Sequence, residues 1–384
     1  MNQALKSRVA NFTKNSMEYE VMQFSCDMKS NLTVLDAIKD WRFPTEVILN
    51  VSQSCERMLL DCTFGGVSYN CTDLFQPVLL DEGLCCTFNS LDPVYRFKNI
   101  SNQFAFNTSY PPNVKPVDYS LENGYQNPLP EHYSPMRAIG YGITVGLSVV
   151  LNVDSDEYYC STSNSIGFKL SIHNPEVMPD IRENGLLLPP GQESFVRLLP
   201  TQLIAHKKLR NLSRKQRNCL FEEESKLNVF SYYSYENCVY ECRTEILITH
   251  CGCIPPHIYT KYSNFTVCSY KEWPCFLRAN YLSKRNDQFC GQQCLPKCFS
   301  KSFKVDIFSA KLNKTFLEIS SPIIANMSSA YVDKNIAVAR FYLNQYNYES
   351  TIKSPYIDAI DVLVCFDTFK HWSKSKKYGD MTAV

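Results

Sequence analysis

Ten cysteines crowd into one stretch of the chain, and their sulfur atoms could serve either disulfide bonding or metal binding. Their spacing is close to symmetric. Two cysteines lie four residues apart near one end of the stretch, and three lie four apart at the other. The ten are Cys219, Cys238, Cys242, Cys251, Cys253, Cys268, Cys275, Cys290, Cys294 and Cys298.

Zinc binding is the rival interpretation, because histidines accompany these cysteines. Structural zinc sites favour two to four residues between paired ligands, whereas Cys251 and Cys253 are separated by only one. An oxidising compartment, argued below, also favours disulfides over thiolate ligands. We therefore expect neither a metal nor a cofactor. A zinc site would have drawn on Cys238, Cys242, Cys251, Cys253, His250 and His257.

The four-residue offsets predict which cysteines pair, provided that two limbs run antiparallel. A helical offset of four advances about 6 Å, which leaves room for neighbouring bridges. Each bridge contributes about 2–4 kcal/mol, so the stretch should form a stiff lever. The predicted pairs are Cys238–Cys294 and Cys242–Cys290 along the limbs, Cys219–Cys298 at the base, and Cys251–Cys275 and Cys253–Cys268 at the inner turn.

Glycosylation motifs agree with an oxidising compartment. Eighteen cysteines are too many for an ordinary cytosolic chain of 384 residues. The net charge of +1 gives no reason to expect nucleic acid as a partner. Ten Asn-x-Ser/Thr sequons predict glycans on an extracellular surface. They are Asn11, Asn31, Asn50, Asn70, Asn99, Asn107, Asn211, Asn264, Asn313 and Asn326.

Catalytic motifs are missing from the sequence. It contains no nucleophile elbow, zinc-protease helix, P-loop or dinucleotide-binding glycine pattern. A cysteine–histidine protease would need a free thiol, which disulfide pairing removes. We predict that the chain is not an enzyme.

Export and membrane insertion pose a conflict. The residues after Met1 do not form a signal peptide, and the longest uncharged run, 138–153, is too short to span a bilayer. A glycosylated, oxidised protein must nevertheless enter the secretory pathway. We expect membrane segments outside this sequence. If the chain is complete, it is secreted or retained in that pathway.

Local patterns predict an α+β fold with a central sheet assembled from distant segments. Alternating apolar residues indicate a strand over 139–153. Ser234 is a suitable N-cap for a helix over 234–249. Prolines make 108–135 a loop. Further strands are predicted at 168–173, 195–199, 302–305 and 337–343, and a partner helix at 273–289.

Four segments resemble the extracellular domain of the degenerin/epithelial sodium channel family. The doubled Cys85–Cys86 is similar to the insect pickpocket branch. The segments are Cys62–Asn89; Asp156–Ser161 followed by Gly167–Lys169; Asn237–Thr244 with Cys251–Pro255; and Cys294–Cys298.

The resemblance implies an ectodomain over 1–360, with 361–384 as a divergent tail. Finger and β-ball would occupy about 5–135, palm strands about 139–200 and 300–350, and the helical thumb about 219–298. Cys62 would pair with Cys71, and Cys85 with a cysteine outside this sequence. For the extra cysteines, we predict the pairs Cys55–Cys86 and Cys26–Cys160, and Cys365 is unassigned.

The implied function is that of a partial subunit of a trimeric, amiloride-sensitive sodium channel at the plasma membrane. The subunits would form homo- or heterotrimers that pass sodium ions and respond to an extracellular ligand or another stimulus. A non-conducting soluble or decoy ectodomain is the alternative. The sequence does not reveal the gating stimulus or the partner subunits.

Overall fold

The computed structural model describes residues 13, 16–25, 33–34, 42–80, 82–98, 113–120, 124–159, 164–224, 226–254, 266–268, 272–285, 287–345 and 349–354. Within these ranges the fold is α+β, as predicted. The strands are β1 (Leu59–Phe64), β2 (Val67–Tyr69), β3 (Phe75–Leu80), β4 (Gly83–Phe88), β5 (Lys115–Pro116), β6 (Tyr119–Ser120), β7 (Gly124–Tyr125), β8 (Tyr133–Ser134), β9 (Leu147–Asn152), β10 (Phe168–Leu170), β11 (Leu186–Leu188), β12 (Gln192–Ala205), β13 (Cys253–Ile254), β14 (Thr266–Val267), β15 (Phe299–Lys311), β16 (Ile336–Leu343) and β17 (Glu349–Lys353).

Helices surround the sheet and fill the cysteine-rich stretch. Among the helices of the described residues, none combines the length and the apolar composition needed to cross a membrane. They are α1 (Met17–Ser25), α2 (Arg42–Val51), α3 (Cys55–Met58), α4 (Cys71–Leu74), α5 (Pro93–Arg96), α6 (Ile181–Asn184), α7 (Arg214–Arg217), α8 (Tyr235–Cys251), α9 (Trp273–Arg285), α10 (Asp287–Gln293), α11 (Lys314–Ser320) and α12 (Ser329–Asn335).

A seven-stranded mixed sheet forms the centre, in the order β15–β12–β16–β9–β1–β2, with β17 also pairing with β12. The long strand β12 pairs antiparallel with β15, from Gln192 opposite Lys311 to Ile204 opposite Phe299. Its other edge pairs in parallel with β16 and then with β17. The sheet therefore connects β15 to β17 through one continuous strand.

The central strands β9 and β16 are buried on both faces. Val149 and Ala339 lie in one hydrophobic cluster, which the β1 side of the sheet shares. Val150 and Val338, the next residues along these strands, pack on the opposite face with α11 and α12. Successive side chains of a strand point to opposite faces, so burial on both sides requires a continuous apolar run.

The strand predicted over 139–153 is shorter in the structure. Residues 143–145 form a 3-10 turn, and β9 begins at Leu147. The predicted alternation of apolar and polar residues accounts for only one buried face of β9, because Val150, on the other face, also packs into a hydrophobic cluster. Likewise the helix predicted over 273–289 is divided into α9 and α10.

The assignment of residue ranges to finger, ball, palm and thumb stays a prediction, and the structure gives the strand pairing within those ranges. The strands β1 and β2 fall in the range assigned to finger and ball, yet β1 pairs with β9 in the central sheet. Conversely, β10 falls in the range assigned to the palm but pairs with β11 in a separate two-stranded sheet. Gly65 and Gly66 both have positive φ and form the two-residue turn between β1 and β2, the backbone shape that a type I′ hairpin requires.

Candidate coupling site at the disulfide arm

The described residues between Cys219 and Cys298 directly precede β15 of the central sheet, and we call them the disulfide arm. It contains five disulfides, whose Cα atoms lie 4.9–5.9 Å apart. These are normal distances for unstrained bridges. The pairs are those that the spacing predicts: Cys219–Cys298, Cys238–Cys294, Cys242–Cys290, Cys251–Cys275 and Cys253–Cys268.

The long helix α8 is one limb of the arm. The hydroxyl of Ser234 accepts a hydrogen bond from the backbone N–H of Asn237 at 3.0 Å, which makes Ser234 the predicted N-cap. The helix ends at Gly252, whose positive φ of 68° suits the left-handed C-cap. Two disulfides tie α8 to α10 and the residue that follows it, so the two limbs cannot separate.

The base of the arm continues directly into the central sheet. Cys298 is followed by Phe299, the first residue of β15. The N–H of Cys298 donates to the carbonyl of Leu220 at 2.8 Å, and the N–H of Leu220 donates to the carbonyl of Pro296 at 2.9 Å. The arm base is therefore joined through the chain to β15, which pairs with β12, and β12 in turn pairs with β17.

Buried charges reinforce the base. The ammonium group of Lys297, which is 7% exposed, lies 2.9 Å from the carboxylate of Glu222. Arg217 is 3% exposed, forms an ion pair with Glu224 and donates from Nε to the carbonyl of Cys219 at 3.0 Å. Breaking either buried pair would leave an uncompensated charge, so these contacts hold the base in one geometry.

Asn237 anchors the beginning of α8 to the segment before α6. Its side chain is fully buried. Oδ1 accepts from the N–H of Met178 at 3.0 Å, and Nδ2 donates to the carbonyl of Glu176 at 3.0 Å. The amide of Asn237 thus hydrogen-bonds one backbone donor and one backbone acceptor of a neighbouring segment. Apolar packing against the helix would leave these buried groups without partners.

Glu241, one turn further along α8, anchors a second segment. Its carboxylate accepts hydrogen bonds from three consecutive backbone N–H groups. Hydrogen bonds to an ionised acceptor are stronger than neutral ones. The N···O distances are 2.8 Å to Asn228, 2.6 Å to Val229 and 3.1 Å to Phe230.

A buried carboxyl group lies beneath these anchors. Glu176 is 1% exposed, and neither of its carboxylate oxygens has a hydrogen-bond partner among the residues that the structure describes. Burial raises the pKa of Glu176, and the charges of Glu222 and Glu236 raise it further, whereas Lys297 opposes them. The junction between arm and sheet therefore contains a titratable group whose protonated form is favoured by its surroundings.

A family model described as amiloride-sensitive sodium channel matches residues 1–366. The chain belongs to this family. Because the family is one of ion channels, the prediction that the chain is not an enzyme is confirmed.

Among curated proteins, the chain is similar to insect members of the family. It is 32% identical to Pickpocket protein 28 of Drosophila melanogaster, over 81% of this chain and 52% of that protein. It is 26% identical to Sodium channel protein Nach of the same species, over 79% and 52% of the two chains. Acid-sensing ion channel 2 of Homo sapiens is 24% identical, over 79% and 51%. The chain spans about half the length of these relatives, and they support its assignment as pickpocket-type.

Of the cysteines outside the disulfide arm, some lie in the described residues of this sodium channel family member and some do not. The structure joins Cys62 to Cys71 and Cys55 to Cys86, with Cα separations of 5.3 and 5.8 Å. Cys85 lies in β4 beside Cys86, and its pairing stays a prediction. The others, Cys26, Cys160 and Cys365, lie outside the described residues, as does the tail over 361–384.

Half of the predicted glycosylation sites lie in described parts of the chain. All five are exposed to solvent, as glycan attachment requires: Asn50, Asn70, Asn211, Asn313 and Asn326. The other five, Asn11, Asn31, Asn99, Asn107 and Asn264, lie outside the described residues.

Metal binding finds no support in the described residues. There, no three His, Cys, Asp or Glu side chains converge in a metal-binding arrangement. Four cysteines of the alternative zinc site, Cys238, Cys242, Cys251 and Cys253, are bonded to other cysteines instead, while His257 lies outside the described ranges.

Sequence reasoning missed the polar anchors of the arm. Asn237 and Glu241 occur within the segment that carries the family resemblance, but a helix of mixed polarity gives no signal that these two side chains are buried. The only hint was their position: each lies one residue before a bridged cysteine, Cys238 or Cys242, on a helix predicted to be cross-linked.

Proposed function

We propose that this chain is the extracellular part of a sodium channel subunit at the plasma membrane. The disulfide arm would pass a stimulus through the central sheet to a pore formed by other parts of the full-length protein. Family membership supports this proposal, as does the similarity to a sodium channel protein and to an acid-sensing ion channel. The pore is assigned elsewhere because the chain spans about half of those proteins.

The covalent continuity between arm and sheet carries the proposal. Cys298 closes the base of the arm, and the next residue, Phe299, starts β15. The ladder between β15 and β12 then runs the length of β12, whose final residues pair with β17. A rigid arm on a continuous hydrogen-bonded sheet can transmit a displacement, because packed and bridged elements move as units.

The proposed partners follow from the same assignment. We expect homo- or heterotrimers with other channel subunits, conduction of sodium ions, block by amiloride and gating by an extracellular ligand or another stimulus. We also expect glycans on the exposed sequons. Cross-linking and mass measurement of the purified full-length subunit would test the trimer, and a mass decrease on enzymatic deglycosylation would test the glycans.

Currents from the full-length subunit test the coupling role. It would be expressed in oocytes, and amiloride-sensitive sodium current would be recorded under protons, peptides, small molecules and membrane stretch. The double substitution Cys242→Ser with Cys290→Ser removes one bridge of the arm. A matched control, Cys62→Ser with Cys71→Ser, removes a bridge outside the arm. Surface labelling would correct for protein at the membrane.

We expect the arm variant to lose most of its evoked current per surface subunit, and the control variant to keep it. Equal evoked currents in the arm variant and the wild type would contradict coupling through the arm. A complete lack of amiloride-sensitive current from well-expressed wild-type protein, alone or with other subunits, would instead favour the non-conducting ectodomain.

A further inference from the structure

A cavity of about 650 Å³ lies between the central sheet and two small two-stranded sheets, β3–β4 and β10–β11. Leu147 and Leu198 line it from the sheet, Val78 and Phe88 from the β3–β4 hairpin, and Leu170 from β10. We call it the sheet cavity. None of the described residues of the disulfide arm lines it, so it is separate from the coupling site.

Its size argues against ordinary imperfect packing. Protein interiors are close-packed, and voids larger than a water molecule are few. Pockets that hold drug-sized ligands measure about 300–1,000 Å³, and a far smaller apolar cavity of about 150 Å³ already binds benzene. The lining side chains named above are half-buried or buried, and all are apolar.

Among the polar side chains of the cavity wall, two offer hydrogen-bond acceptors to a ligand. Gln53 is 2% exposed, and its Nε2 donates to the carbonyls of Asn152 at 3.0 Å and Arg57 at 3.3 Å. Both partners are acceptors, which fixes the amide orientation. Its Oε1 is left without a partner among the described residues. Such a buried acceptor is costly unless a ligand or water satisfies it.

His173 supplies the second acceptor. Its Nδ1 lies 2.9 Å from the carbonyl of Asn174, so Nδ1 carries the proton and Nε2 is an acceptor. Although the side chain is partly exposed, it lines the cavity, and burial among protein atoms lowers its pKa to about 4. The imidazole is therefore neutral at physiological pH.

The charged groups of the wall already have partners on the protein. Glu82 forms ion pairs with Lys169 and Arg182, both at 3.2 Å. Arg137 stacks over the ring of Tyr125 at 4.6 Å. These three charged side chains of the wall therefore contact other protein groups, and a charged ligand would lose its hydration on entering beside them.

We propose that the sheet cavity binds a neutral, mostly apolar small molecule that donates a hydrogen bond to Gln53 or His173. The ligand would fill the space between β12 and the two small sheets and hold these elements together. Only its effect on sodium current rests on the proposed channel function. Binding by the chain itself does not, so the two proposals fail separately.

The test uses the 384-residue chain secreted from insect cells and the fluorescent probe N-phenyl-1-naphthylamine, which is neutral, apolar and carries one N–H donor. Fluorescence titration would give its Kd. Two related molecules serve as comparisons. The ether 1-phenoxynaphthalene has no N–H donor, and its affinity would be measured by displacement of the probe. The second molecule, 8-anilino-1-naphthalenesulfonate, adds a negative charge to the probe's ring system.

Matched tryptophan variants locate the binding site. Leu170 packs against the core that lines the cavity, whereas Leu187 lies in β11 opposite Lys169 and is 49% exposed. We expect Leu170→Trp to weaken probe binding at least about tenfold by filling the cavity, and Leu187→Trp to change Kd less than about twofold. Equal probe affinity in the two variants would show that the probe does not bind in the sheet cavity.

If Leu170→Trp does not fold, Leu198→Trp fills the cavity from the opposite wall, and hydrogen exchange of the wild type gives an independent readout. Probe binding should protect amides of the β3–β4 hairpin and β10 but not those of α8. Protection confined to other regions would refute the proposal.

The chemical class is tested by the comparison molecules. We expect the amine to bind about tenfold more tightly than the ether, and Gln53→Leu to reduce this preference. Tighter binding of the sulfonate than of the amine would overturn the assignment to a neutral ligand. Probe binding without any change in sodium current would leave the site in place and count against the coupling proposal.

Discussion

In the disulfide arm, five bridges connect elements whose hydrophobic clusters contain three to six buried residues each, and the cluster of six takes only Val229 and Phe230 from the arm. The main cluster on the central sheet contains thirteen, three of which are cysteines of two bridges. Small units that bury little apolar surface need covalent bonds to stay folded. The arm is therefore held by bridges and polar anchors, and the sheet by burial.

This difference separates two kinds of sensitivity. The arm should respond most to loss of disulfides, buried ion pairs and charge-assisted hydrogen bonds. The region around the sheet cavity should respond most to changes in volume and to charge brought into an apolar space. The predictions below test that division, starting with the largest effect.

Removing a bridge should affect the arm more than the sheet. The closed loop of Cys242–Cys290 spans 48 residues and that of Cys62–Cys71 spans 9. The chain-entropy relation gives losses of about 4 and about 3 kcal/mol respectively. Hydrogen exchange of the two double serine variants would show whether protection falls throughout α8 and α10 in the first variant alone.

A similar loss of amide protection in α8 for both variants would contradict the proposed difference between arm and sheet. It would mean that arm and sheet unfold as one unit, and that stability in the arm does not depend on its own bridges.

Glu241→Gln should lower the free energy of unfolding by about 2–3 kcal/mol, because a neutral amide replaces the carboxylate that accepts three backbone N–H groups. Glu245→Gln, one turn later on the same helix at an exposed position, should cost less than about 0.5 kcal/mol. Thermal unfolding under non-reducing conditions measures both. Matching losses would show that the backbone contacts to Glu241 add nothing.

Acid should destabilise the cavity region through His173. Its folded pKa of about 4 lies below the ordinary value of 6.5, so the folded state binds fewer protons between these pH values. Stability is complete above pH 6.5 and should fall by about 2 kcal/mol as pH drops toward 4, allowing for the partial exposure of the ring. His173→Gln should flatten this part of the profile, and an unchanged slope would count against a buried neutral imidazole.

Glu176→Gln should act in the opposite direction. The raised pKa of Glu176 means that the folded state retains its proton above the ordinary value of 4.5, so this group's contribution to stability falls as pH rises through the folded pKa. The neutral amide should raise the melting temperature at neutral pH by about 2–4 °C. The exposed control Glu56→Gln should change it by less than about 1 °C. A lower melting temperature for Glu176→Gln would show that the carboxylate is ionised and bound.

Local sequence patterns predicted much of the structure of the disulfide arm. The four-residue cysteine offsets and Ser234 before a helix are short-range features, and they sufficed to predict the bridges and the beginning of α8. The helix ends at Cys251, two residues beyond the predicted 249. The carboxylate of Glu241 was not predictable in the same way. Its three donors are backbone N–H groups of another segment, which have no side-chain signature in the sequence.

The sequence by itself determined the pairing within the arm and the family, and it predicted an oxidising compartment, because cysteine spacing, sequons and motifs are properties of neighbouring residues. Only the tertiary structure decided that β1 joins the central sheet, that β10 leaves it, and that the sheet cavity remains between them. Strand partners and cavities depend on contacts between residues far apart in the chain. Periodicity shows which side chains are apolar, but not which distant surface covers them.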